Sequence, residues 1–122
     1  AIGLKDRIVS GLSLSPRNKA IFDEFSFLVN KHHGENRTLS FYADMMHITP
    51  KYLSRVIKQV SGRTATEWID SFVVLEAKNM LRHSDLSIKE IMAQLNFSSH
   101  AVFHTFFKKH TGMTPTEYRH SR

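Results

Sequence analysis

The chain has 122 residues, 17 Lys and Arg against 11 Asp and Glu, a net charge of +6, and no cysteine. That length suits one compact unit or two very small ones, and without thiols a disulfide framework, a thiolate metal site and a thiol nucleophile are excluded. No apolar run approaches the roughly 20 residues that span a bilayer, and the basic balance favours a polyanionic partner such as nucleic acid. No signal-peptide pattern is expected at the start, and a reducing cytoplasm suits a chain that needs no bridges. With Ala1 rather than Met in first place, the sequence reads as a piece of something longer.

Helical periodicity fits nearly all of the sequence, so an all-α fold is expected. Over residues 1–14, Leu4, Ile8 and Leu12 lie one helical turn apart, while Gly3 and Gly11 weaken a helix there. Ser15 then offers an N-cap and Pro16 a first helical residue. Ile21, Phe22, Phe25, Leu28 and Val29 form one apolar stripe, with Gly34 placed to end the helix. After a loop at "ENRT" come a short helix over 40–47 and a second over 50–61, the latter started by Thr49 and Pro50 and closed by Gly62. Thr64 and Glu67 form a capping box that opens a long helix to about residue 83. Ser84 and Asp85 break it, and helices over 87–95 and 99–110 follow, the second closed by Gly112. Thr114 and Glu117 make another capping box for a last short helix.

One phrase occurs twice. "VIKQVSGRTATEWI" at 56–69 and "FFKKHTGMTPTEYR" at 106–119 align without gaps and share Lys58/Lys108, Gly62/Gly112, Thr64/Thr114, Thr66/Thr116 and Glu67/Glu117. Roughly one identity would arise by chance from average composition. Each copy is the end of one helix, a glycine stop and the capped start of the next. Each is preceded by a short helix and a tight turn, "YADMMHITPKYL" and "IMAQLNFSSHAVF". Short helix, turn, second helix is the helix-turn-helix pattern, here present twice.

Two such units on one rod point to double-stranded DNA. The second helix of the motif lies in the major groove, and successive groove faces on one side of B-DNA are about 34 Å apart. The helix over 64–83 would measure roughly 30 Å at about 1.5 Å per residue. A monomer could then hold two reading helices a helical turn apart.

"GMTPTEYR" after "FFKKHT", with "LSIKEIMAQLNFSS" before it, resembles the DNA-binding domain of the AraC/XylS family of bacterial transcription regulators. The resemblance covers roughly residues 37–119 and implies transcriptional control, often with an N-terminal effector or dimerisation domain. The division it suggests is an N-terminal extension with one helix (1–36), a first helix-turn-helix (37–63), a connecting helix (64–84), and a second helix-turn-helix with a C-terminal helix (85–122). The extension reads either as a linker helix or as a segment packed on the first unit.

Carried over by position, the resemblance places Lys51, Ser54 and Arg55 of the first reading helix against bases. It places His100, Ala101, His104 and Thr105 of the second there too. Arg55 is the prime candidate, because a guanidinium can bond guanine O6 and N7 together. Leu53, Val56 and Ile57 fall on the core side. The family often has arginine where Thr105 stands and glycine where Asn96 stands. Asn tolerates a left-handed turn, so the turn is expected to survive, and the first unit is expected to dominate base discrimination. Phosphate candidates are Thr49, Lys58, Ser98, Ser99, Lys108 and Lys109. For the lysines, a solvated place at a helix C-terminus is an equal reading, and for the two serines plain N-capping competes. "SFVVLEA" in the long helix is apolar on more than one side, and its partners are left open between the two units, the 16–33 helix and a missing domain.

Eight histidines invite a metal. His100 and His104 have zinc-ligand spacing, yet Ala101 stands where a zinc protease needs glutamate, and His32 and His33 point about 100° apart on a helix. No metal, no cofactor and no enzymatic activity are expected, since phosphate loops, nucleophile elbows and paired carboxylates are missing. The rival reading is a helical interaction module that docks RNA polymerase or an effector domain, with weak DNA binding.

Overall fold

The computed structural model describes residues 15–121, which form seven helices and, among the described residues, no strand. They are α1 (Pro16–His32), α2 (Leu39–Met45), α3 (Pro50–Ser61), α4 (Ala65–His83), α5 (Ile88–Gln94), α6 (His100–Thr111) and α7 (Pro115–His120). The stretch holding Leu4, Ile8 and Leu12 lies outside the described residues.

Local chemistry sets the helix starts. Ser15, Thr38, Thr49, Thr64, Ser87, Ser99 and Thr114 each accept a hydrogen bond from the backbone N–H three residues on. Each such cap is worth about 1 kcal/mol over alanine. Glu67, Glu90 and Glu117 complete capping boxes, and the one at Ser87 and Glu90 was not among those read from the sequence. Accepting hydrogen bonds from Thr64, Ser87 and Thr114 holds these carboxyls below the ordinary 4.5. Their support is therefore complete above that pH and fades as acid protonates them.

Ends differ in kind. Gly62 and Gly112 take φ of 79° and 81°, the left-handed conformation that a side chain resists. Gly34 does not end α1, contrary to expectation. The helix stops at His32, and His33 donates from both its backbone N–H (2.9 Å) and its ring Nδ1 (2.8 Å) to the Val29 carbonyl. The short helices stop at Met45 and Gln94, earlier than expected, because His47 and Asn96 turn left-handed at φ 59° and 64°.

Two cores result. Ile21, Phe25 and Val29 of α1 meet Tyr42 and Ala43 of α2, Leu53, Val56 and Ile57 of α3, and Ala65 and Ile69 of α4. Val73, Ala77 and Leu81 of α4 meet Ile91, Leu95, Phe97, Phe103 and Phe107. So α1 packs on the first unit.

The buried residues of α4 explain its apolar breadth. Ala65, Ile69, Val73, Ala77 and Leu81 recur every fourth position. Four residues overshoot a turn by about 40°, so this stripe winds some 160° around the helix between its ends. One rod can thereby serve two cores on different sides. Phe72 packs on the first core, whereas Leu75 stays 57% exposed.

Tyr42 is fully buried, and its hydroxyl donates to the Asn36 carbonyl at 2.9 Å. Burial, helped by the charge of Glu35, pushes the phenol from 10.0 up to about 12. An unfolded chain gives up this proton first, so stability is intact below pH 10.0 and declines between there and about 12. Urea midpoints should fall through that window, and Tyr42→Phe should make the fall shallower.

Candidate nucleic-acid interface

The buried Leu53, Val56 and Ile57 fix the orientation of α3 and turn Lys51, Ser54, Arg55 and Lys58 outward. Spacings of three and four put these on one face. Arg55 lies 5.1 Å from the centre of the Tyr52 ring, and among the described residues it pairs with no carboxylate. From α1, Arg17 reaches the same ring, its Nε donating to the Tyr52 hydroxyl at 3.2 Å. Arg17 and Tyr52 were not among the sequence candidates. No local signal marks the pair, which lies 35 residues apart in the chain.

On α6, buried Phe103 and Phe107 turn His100, Ala101, Thr105, Lys108 and Lys109 to solvent, with His104 half-buried. Val102 is 46% exposed, and with Phe106 it joins the sequence candidates Ala101 and Thr105 in a mostly apolar strip. An aliphatic surface of this kind complements a thymine methyl group. The His100 and His104 rings stand 6.0 Å apart, and among the described residues no group of three possible metal ligands includes them. Asp70 of α4 faces His110 of α6 at 3.5 Å. Burial pushes the Asp70 carboxyl up, against the pull of His110, Arg37 and Lys109.

The phosphate candidates separate by what already occupies them. Thr49 and Ser99 accept cap bonds from Tyr52 (3.0 Å) and Val102 (3.2 Å). Their hydroxyl protons remain free to donate. Lys58 donates to the Gly62 carbonyl at 3.0 Å, while Ser98, Lys108 and Lys109 are exposed. The 19 residues of α4, about 28 Å long, join the unit that holds α3 to the unit that holds α6.

Residues 42–121 match a family described as a helix-turn-helix domain, of the AraC/XylS type. The chain belongs to this family. Its all-helical fold with two helix-turn-helix units is that of AraC-type DNA-binding domains. It is similar to the C-terminal domain of AraT, a response regulator from Geobacillus stearothermophilus, with TM-score 0.78 and 31% identity over 89% of this chain and 88% of that one. It shares its fold with the DNA-binding domain of AdpA, a global transcriptional factor solved with a target DNA, with TM-score 0.72 and 22% identity over 80% and 88% of the two chains. Among curated relatives, the transcriptional regulator YtdP of Bacillus subtilis is 30% identical over 104 residues, 85% of this chain and 14% of that protein. The activator RhaS of an Enterobacter is 25% identical over 118 residues, 97% of this chain and 41% of its own length. The chain thus spans less than half of these AraC-type relatives. AdaA of Bacillus subtilis, 33% identical over 75% of this chain and 43% of its own, is named both an activator and a DNA repair enzyme.

Proposed function

We propose that this AraC-type domain binds double-stranded DNA sequence-specifically as the reading part of a bacterial transcription regulator. In this reading α3 and α6 enter successive major grooves. The observation that carries it is the pair of outward faces, Lys51, Ser54 and Arg55 on α3 and His100, Ala101, His104 and Thr105 on α6, mounted on one rod about as long as the groove repeat. Thr49, Lys58, Ser98, Ser99, Lys108 and Lys109 would hold phosphates, which orient the domain without reading sequence. Regulation, not catalysis, is the role assigned.

An effector or dimerisation domain elsewhere in the polypeptide and contact with RNA polymerase in the bacterial cytoplasm complete the proposal. The small share of the relatives' length and the exposed Phe27 and Leu75 support partners of that kind. Among the described residues no helix is long and apolar enough to cross a membrane.

Selection from a pool of random-centred duplexes at two salt concentrations tests the reading. Two short boxes about one helical turn apart are expected to be enriched. Failure to bind at either salt would sink the proposal. Lys109→Ala should weaken binding to all duplexes alike and lower the salt slope by about 0.9.

A further inference from the structure

The connecting helix is not the sole link between the two units. Arg37, in the loop before α2, crosses to the turn that precedes α6. Its Nη1 donates to the Leu95 carbonyl at 2.6 Å and, at a longer 3.4 Å, to that of Asn96. Its guanidinium lies 4.0 Å from the centre of the Phe97 ring. In return the Asn96 side-chain amide donates to the Glu35 carbonyl at 2.7 Å. These partners are 58 to 61 residues apart in the chain.

From this geometry we infer that Arg37 and Asn96 are positioning residues, a clamp that fixes the angle and spacing between the reading helices. The inference rests on reading α3 and α6 as the groove-entering helices.

The chemistry of each residue suits the task. One link between two bodies leaves bending and twisting of the rod unopposed. A second link, formed between the loop before α2 and the turn before α6, closes the frame. Arginine can bond carbonyls with its fork while its plane stacks on an aromatic ring, which a lysine ammonium cannot imitate. Partial burial lowers the Arg37 guanidinium from its ordinary value, and the carboxylate of Asp70 on α4 offsets part of that. Asn96 accepts the left-handed φ of 64° that the turn requires and still supplies an amide to reach across. Glycine would make the same turn more easily and reach nothing. The asparagine is therefore explained by what it holds. The clamp grips the turn beside the first residues of α6, the part of a reading helix that meets base edges.

Asn96→Gly is the informative variant, because it keeps the turn and removes the cross-unit bond. Arg37→Met removes the other half while keeping an apolar stem. On duplexes bearing both selected boxes, an added base pair turns the second box by roughly 35°. The wild type should lose about tenfold or more in affinity on that insertion, and each variant about threefold or less, with single-box affinity unchanged. These fold-changes are order-of-magnitude expectations for a stiff against a hinged pair of heads. Folded variants with the wild-type spacing profile would overturn the clamp.

A second arm needs no DNA. The chain has no cysteine, so Gln59→Cys on α3 and Lys89→Cys on α5 give two unique, exposed spin-label sites. The interlabel distance distribution should be narrow in the parent and broader with Asn96→Gly or Arg37→Met. Equal widths would overturn the clamp whatever happens with DNA. Broadening in a chain that binds no duplex would leave the clamp standing and refute the DNA reading instead.

Discussion

Arg55→Ala is expected to weaken binding to a selected two-box duplex by about 1–3 kcal/mol, roughly 5- to 150-fold, and to relax preference at one base position. The size follows from what Arg55 does in the free protein. It is exposed, rests beside the Tyr52 ring, and among the described residues has no carboxylate to leave. Little would therefore be lost on turning to guanine O6 and N7. Lysine lacks the fork, so Arg55→Lys should restore the salt dependence but not the base preference. Fluorescence anisotropy against the selected duplex and its single-base variants reads both. The ranking of the two heads is exposed to the same assay. Specificity untouched by Arg55→Ala but abolished by His100→Ala or Thr105→Ala would make the second unit the main reader.

The second large effect concerns stability. Phe103 is fully buried, with Phe97 at 4.9 Å and Phe107 at 6.0 Å between ring centres. Phe103→Ala should cost about 3–5 kcal/mol, against a total of about 5–15 for a typical domain. The loss should fall on one unit, because the two cores share only α4. The protein's single tryptophan, Trp68, packs on the first core, its indole N–H donating to the Ser61 hydroxyl at 2.7 Å. Tryptophan fluorescence therefore reports the first unit, and circular dichroism reports both. In urea, Phe103→Ala should show ellipticity lost before fluorescence changes. Coincident transitions would mean that α4 and the clamp bind the cores into one cooperative body.

Such a body would still have been readable in its parts. Ser15, Thr49, Thr64 and Thr114 as caps, and Gly62 and Gly112 as stops, are legible because each acts over three or four residues of chain. The core side of α3 at Leu53, Val56 and Ile57 follows from helical period alone. The repeated phrase likewise announces two like units. Gly34 misleads because His33, one residue earlier, caps α1 with its own ring.

Sequence alone determined the helices, several of their starts, the doubling of the motif and the family. Those depend on bonds and periodicities within a few residues. Tertiary structure decided the rest: α1 on the first core, the winding stripe that splits α4 between two cores, Arg17 beside Arg55 at the Tyr52 ring, and Arg37 across the second turn. Each joins segments distant in the chain, and for Arg37 whether they meet is set by the direction in which α4 carries one unit relative to the other. No local pattern encodes that direction, because a slow drift of about 40° per four residues becomes visible only when both cores are in place.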